Sequence, residues 1–294
     1  MLLYVESKAL HYPLTQQILQ QFSGSEIIEI QHYKNLFDKT ISYPTEPCLI
    51  FAKQEHIAIL ETPDQYGFPG KSYFFKPSLN CLFDCTYCYL KGSFKNRFPV
   101  IFVNYEDFKI ALDQKIQEVR AEGYQGQITF YASNYADLLA IEHRTHFHET
   151  FIPFFEQYEN VLLETRTKSA GVALVNPSFD FTPRNTEIAF SLSPEPIAQL
   201  YEPGTASLSS KLSAINQFLD LGYRVGLRFL PLLPVPEYEK IYTSLLTELK
   251  KQIDISRISS IFIAPLLYNQ GDFAVMKKKN PEFPFRDQLH VNER

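Results

Sequence analysis

From residue 72 to residue 264 the chain alternates short apolar runs with longer helical patterns, and this limits its possible folds more than any other feature. The apolar runs cover 72–76, 127–131, 161–165, 187–191, 223–230 and 258–264. Between them lie helical spacings. Asn104 opens one that carries Phe108, Leu112, Ile116 and Val119 and stops at Gly123. Another spans 207–221, with Leu208, Leu212, Ile215 and Leu219 on one face and Gly222 behind it. Further helices are expected at 145–158 and 238–252. Strands separated by helices predict a parallel sheet. Right-handed crossovers then permit either an open doubly wound sheet or a barrel. Both put reacting groups at the C-terminal ends of the strands. The apolar run at 98–103 is set aside as an excursion from this pattern.

Residues 1–71 read as a small α/β domain. It has a helix from Pro13 to Phe22 and strand-like runs at 26–30, 48–53 and 57–60. The turn-rich passage from Thr62 to Gly70 is the expected boundary with a second domain, 72–294. No apolar run approaches the roughly 18 residues of a membrane span. Met1 to Lys8 lacks the pattern of a secretory signal, so a cytoplasmic protein without membrane contact is expected. With 28 basic and 33 acidic residues the net charge is −5, so nucleic-acid binding would need a local basic patch.

Three of the four cysteines, Cys81, Cys85 and Cys88, fall within eight residues directly after the first strand of the repeat. That is the expected reactive edge. A disulfide framework would spread its cysteines through a short secreted chain. Structural zinc takes four protein ligands, usually as two close pairs, and no second pair exists here. A cubane iron–sulfur cluster normally takes four thiolates. Three would leave one iron open to a cofactor or substrate, so the spacing points to iron–sulfur rather than zinc. Cys48, in the apolar Cys48-Leu49-Ile50-Phe51-Ala52, reads as a small buried hydrophobe.

The spacing Cys81-x3-Cys85-x2-Cys88, with Tyr87 before the third cysteine, resembles the radical S-adenosylmethionine (SAM) superfamily. The resemblance implies a partial (β/α)6 barrel, TIM-like but open, behind a small N-terminal α/β domain. It implies a [4Fe–4S] cluster whose open iron binds SAM, and reductive cleavage of SAM to a 5′-deoxyadenosyl radical. The likeness narrows to the spore photoproduct lyase family, DNA repair enzymes that act on a cross-linked thymine dimer. Segments that carry it include Tyr73-Phe74-Phe75, Val100 to Asn104, Tyr131 to Glu142, Glu164 to Ser169, Phe190 to Ser193, Tyr201 to Thr205 and Gly222 to Gly226.

By that resemblance, Tyr87 neighbours the adenine, Lys168 meets the SAM carboxylate and Ser191 the ribose. Ser133 and Asp137 face the methionyl group or the substrate, and Arg166 and Ser193 are weaker candidates. Tyr87 and Tyr89 belong to a relay that returns hydrogen to the product radical. The family's hydrogen-donating cysteine pairs here with Asn134. An amide N–H or a C–H bond is too strong to replace a thiol as a hydrogen-atom donor, so the relay is incomplete as written.

Other features read more plainly. Glu202 and Thr205 are expected to serve loop structure. His143, His146 and His148 share no helical face and are expected on a solvated surface. Lys91, Lys95, Arg97 and Lys277 to Lys279 are the groupings suited to a phosphate backbone. The expected partners are a DNA lesion and an electron donor such as flavodoxin or ferredoxin. Two other readings stand beside this one: a radical SAM enzyme with a peptide, tRNA or small-molecule substrate, and a non-catalytic iron–sulfur sensor of DNA damage or redox state.

Overall fold

The computed structural model describes residues 2–22, 24–37, 48–63, 70–94, 96, 98–172, 179–268, 270–279 and 285. In chain order the strands are β1 (Leu2–Glu6), β2 (Glu26–Ile30), β3 (Cys48–Ala52), β4 (Leu60–Glu61), β5 (Lys71–Phe74) and β6 (Ser78–Leu79). They continue with β7 (Val100–Phe102), β8 (Ile128–Tyr131), β9 (Val161–Thr167), β10 (Thr186–Ser191), β11 (Arg224–Leu232) and β12 (Ser260–Pro265). The helices are α1 (Pro13–Gln21), α2 (Leu90–Ser93), α3 (Tyr105–Ala121), α4 (Glu142–Thr145), α5 (Phe147–Phe155), α6 (Glu195–Tyr201), α7 (Leu208–Asp220), α8 (Tyr238–Gln252) and α9 (Gln270–Lys279).

Seven strands form the larger sheet in the order β12-β11-β10-β9-β8-β5-β4. The six from β5 to β12 run parallel, and β4 joins β5 antiparallel. These six are the runs expected from the alternation. The sheet curls without closing, so β12 and β4 are its edges. The result is the expected partial barrel. Side chains alternate strictly across β9. Leu163 packs in the hydrophobic core and Thr165 meets His148 on α5, while Glu164 and Arg166 turn inward.

The smaller sheet, ordered β2-β1-β3-β7-β6, is not confined to residues 1–71. The excursion at 98–103 supplies β7, which pairs parallel with β3, and β6 closes the edge antiparallel to β7. A single hydrophobic core runs from Leu3 and Phe51 to Phe75, Phe108 and Leu163, so the two sheets share their interior. The run expected at 57–60 contributes only its last residue to a strand.

Local signals decide the helix ends. Ser207 caps α7, its Oγ accepting from Ser210 N at 3.2 Å. Gly222 and Gly123 follow α7 and α3 with φ of 83° and 86°, a conformation that favours glycine. Asn104 sits at the N-cap of α3, but its side chain does not cap. Its Oδ1 accepts from Gln54 N at 2.9 Å and its Nδ2 donates to Gln54 O at 3.0 Å. The surface expected around the histidines needs correction at His148, which is fully buried. Its ring meets Glu142 Oε2 at 2.7 Å and Thr165 Oγ1 at 3.0 Å. The apolar face of α5 carries it inward beside Phe147 and Phe151. No helix among the described residues is long and apolar enough to cross a membrane.

The barrel interior is polar. Arg228 on β11 donates to Glu164 at 2.7 Å and to Glu187 at 2.5 Å, and Ser260 joins it at 2.8 Å. Arg166 Nε donates to the other Glu164 oxygen at 2.6 Å. Gly226 leaves room for this network. A Cβ at that position would lie 2.7 Å from both the Arg228 guanidinium and Glu187 Oε1. Arg228, Glu164 and Glu187 are all buried. Removing one member of such a group leaves uncompensated charge and costs about 3–5 kcal/mol. Arg228→Ala is therefore expected to lower the unfolding free energy by about that amount, read by denaturant titration. An unchanged midpoint would show that the two carboxylates find other partners.

Candidate active site

The three clustered cysteines lie in the segment after β6, which leaves the C-terminal end of β5. Asn80 turns the chain there with φ of 64°, and its Nδ2 donates to Phe98 O at 2.9 Å. Phe83 N donates to Cys81 Sγ at 3.4 Å. The loop is fastened to the turn after α6 by two main-chain bonds, Thr86 N to Tyr201 O at 2.8 Å and Asp84 N to Pro203 O at 3.4 Å. It then enters α2, which packs closely on α9. A Cβ on Gly92 would lie 2.6 Å from Asp272 O. Cys85 and Tyr87 are buried in an apolar cluster with Ile197, Leu233, Val235, Leu266 and Met276.

Burial pushes the Cys85 thiol up to about 12 and raises Cys81 and Cys88 as well. Unaided, these thiols stay protonated, and a bound metal's positive charge is what would ionise them. Among the described residues, no three His, Cys, Asp or Glu groups converge on one point as a single ion requires. A cubane takes each thiolate on a different iron. Three cysteines within one short loop suit that cluster, which would keep one iron open, better than structural zinc, which takes four protein ligands.

Glu202 is the hub beside the loop. Sequence reasoning gave it a structural part in a turn, and the fold brings four side chains to it. Its Oε1 accepts from Lys168 Nζ at 3.0 Å, from Ser193 Oγ at 2.6 Å and from the Tyr87 hydroxyl. Lys211 Nζ lies 3.9 Å from Oε2. Burial alone would raise the Glu202 carboxyl, but Lys168 and Lys211 hold it down at about 2. Burial alone would lower Lys168, and Glu202 holds it above the usual lysine range. Burial and the neighbouring Lys168 push Lys211 down to about 8, against the pull of Glu202.

Lys211 was missed by the sequence reading, although a signal existed. It lies one residue before Leu212 and three after Leu208, on the apolar stripe of α7. A lysine at such a position is costly to bury unless something needs its charge.

The remaining candidates fall at the same edge. Asp137 accepts from Lys168 N at 2.7 Å, Thr167 Oγ1 at 2.8 Å and Ala140 N at 3.1 Å. It ties the end of β9 to the segment after β8 and so sets where Lys168 begins. Ser133 follows β8, and its Oγ is buried with no partner. Ser191 ends β10 and is buried. Ser193, just before α6, gives its hydroxyl to Glu202 rather than to the helix. Tyr89 and Asn134 come together, the Tyr89 hydroxyl donating to the Asn134 carbonyl. Tyr135 packs edge-on to Tyr89, ring centroids 6.5 Å apart. Tyr87 diverges from Tyr89, since its hydroxyl serves Glu202.

Arg166 does not share the position of Lys168. Its guanidinium sits deeper in the barrel, 5.3 Å from the Tyr131 ring centroid. Cys48 is buried at the start of β3, level with Leu2. Of the basic groupings, Lys91 pairs with Asp84 at 2.7 Å and Lys277 lies over the Phe273 ring at 5.1 Å. Lys95 and Arg97 lie outside the described residues, as does the Lys279 side chain.

The site offers buried polar atoms that a cofactor would complete. Ser133 Oγ and Glu202 Oε2 have no hydrogen-bond partner. Beside Glu202 stand the ammonium groups of Lys168 and Lys211. A zwitterionic amino-acid end, with one ammonium and one carboxylate, has the matching chemistry.

The spore photoproduct lyase family model matches residues 1–281 of the chain. The spore photoproduct lyase of Geobacillus sp. is 27% identical over 262 residues, which cover 86% of this chain and 74% of that protein. The Bacillus subtilis lyase is 26% identical over 268 residues, covering 84% and 72%. Two solved structures share the fold. Spore photoproduct lyase complexed with dinucleoside spore photoproduct gives a TM-score of 0.81 at 22% identity, over 99% of this chain and 85% of that one. A mutant of that lyase with bound SAM and the same dinucleoside gives 0.80 at the same identity and coverage. With a family model that spans the partial barrel, the smaller sheet and the whole cysteine-centred edge, the chain belongs to the spore photoproduct lyase family.

Proposed function

We propose that this chain is a radical SAM lyase that acts on a thymine lesion in DNA. The observation that carries the reading is the juxtaposition of the cysteine loop with the Glu202 hub at the C-terminal edge of a parallel partial barrel. Family membership and the lesion and SAM bound in the related structures support it. When bound, the cluster and SAM together supply a 5′-deoxyadenosyl radical that takes hydrogen from substrate. Cys81, Cys85 and Cys88 would hold the cluster. A one-electron donor such as flavodoxin or ferredoxin would reduce it, and cytoplasmic reducing conditions suit the free thiols.

The protein's own groups do the rest. Lys168 presents an ammonium for the cofactor carboxylate, and Ser133 and Ser191 offer hydroxyls to its polar ends. The apolar cluster around Cys85 keeps water from the loop. Tyr89 and Tyr135 flank position 134, where hydrogen must return to the product radical. A phenolic O–H is a weaker bond than an amide N–H, so Tyr89 is the better donor of this group. Lys277 and Lys278 are exposed on α9, beside the cysteine loop through α2, and suit a phosphate backbone.

Lys168→Ala tests the assignment. Iron content should not change, and SAM affinity should fall by roughly 10- to 150-fold, the range of one lost charge-assisted hydrogen bond. An unchanged dissociation constant would return Lys168 to a structural ion pair with Glu202.

A further inference from the structure

We propose that Lys211 is a positioning residue for the carboxylate of the bound cofactor, a second buried ammonium that acts with Lys168 across the open Glu202 oxygen. The inference rests on the radical SAM reading above and deepens it. Glu202 pairs with Lys211 only at a distance and makes no hydrogen bond to it. Its Oε1 already accepts from Lys168, Ser193 and Tyr87. Its Oε2 is buried and accepts nothing. Lys211 stands 3.9 Å from that oxygen, too far for a hydrogen bond. An ammonium 1% exposed thus faces a buried carboxylate oxygen, and the two do not close on each other. A folded chain gains by closing such a pair when nothing else fills it.

The other nearby carboxyl does not claim Lys211. Asp137 uses its oxygens on Thr167 and on the backbone N–H groups of Lys168 and Ala140. What remains is a buried ammonium 3.9 Å from an unfilled acceptor, next to a lysine already assigned to a carboxylate. That is the complement of an α-amino acid end. The ligand's carboxylate would lie toward Lys168 and Lys211, and its ammonium toward Glu202 Oε2.

The test compares SAM with decarboxylated SAM, which keeps the sulfonium and the amine. Dissociation constants for both are measured by equilibrium dialysis on cluster-loaded protein, in wild type, Lys211→Met and Lys211→Gln. Methionine keeps the length of the stem and removes only the charge. Glutamine gives a second fold-competent background if methionine packs poorly. Wild type should bind SAM more tightly than the decarboxylated ligand. Each variant should lose roughly 10-fold of that preference, as expected for one ammonium removed from a buried site, with iron content unchanged. Lost stability with an intact preference would make Lys211 structural and overturn the proposal. Lost iron would assign its charge to the cysteine loop and overturn it as well. Binding of neither ligand by wild type would instead overturn the radical SAM reading itself.

Discussion

Cys85→Ala, reconstituted without oxygen, is expected to bind no cluster, whereas the parent chain takes about four irons and four sulfides. The reason is in the loop. Cys85 lies between two main-chain bonds, Asp84 N to Pro203 O and Thr86 N to Tyr201 O, so its Sγ is placed by the turn after α6. No other cysteine can move into that place. Cys48 belongs to the smaller sheet and is buried in β3, so Cys48→Ala should leave iron content unchanged. Cys81→Ala and Cys88→Ala should behave as Cys85→Ala does. The measurement is iron and sulfide per chain together with the visible absorption of the cluster. Full iron content in Cys85→Ala would end the assignment.

Asn134→Cys should change the outcome of turnover on a spore-photoproduct dinucleotide. In the parent chain no thiol stands at position 134, so the product radical should persist. SAM should then be consumed rather than regenerated, and added thiol or dithionite should trap adducts. With a sulfur hydrogen at 134, both effects should reverse. The structure makes this substitution clean. The Tyr89 hydroxyl is held by the backbone carbonyl of Asn134, not by its side chain, so the exchange leaves Tyr89 in place. The ratio of repaired dinucleotide to 5′-deoxyadenosine reads the result. Efficient clean repair by the parent chain would show that Tyr89 is a sufficient donor. Failure of both proteins would move the reading toward a substrate other than this lesion.

Much of the architecture was legible because it is written in local patterns. The six barrel strands follow from short apolar runs between helical spacings, and the end of α7 from Ser207 and Gly222. The cysteine spacing belongs to the same class of signal, since three thiols within eight residues are neighbours in any fold. Where strands pair is a different matter. Residues 100–102 look like any apolar run, and only the register Ile50 to Val100 shows that they extend the smaller sheet. Pairing is a non-local choice, made by which edge is open when the chain returns.

The amino-acid sequence by itself determined a parallel sheet of six strands, the clustering of Cys81, Cys85 and Cys88 after the first of them, and the placement of Lys168 and Ser191 at strand ends. It could not decide what surrounds Glu202. Lys168, Ser193 and Lys211 come from the residue after β9, the segment after β10 and α7, and Tyr87 comes from the cysteine loop 115 residues before Glu202. No spacing joins these positions. They meet because the barrel brings successive strand ends to one edge, and because a buried carboxylate gathers whatever donors that edge supplies. The same holds for Arg228, Glu164 and Glu187, which share the interior only after three strands align in parallel register. Local chemistry is carried in the order of residues. The pairing of buried charges is decided by the tertiary fold, since only there does losing water make each partner necessary.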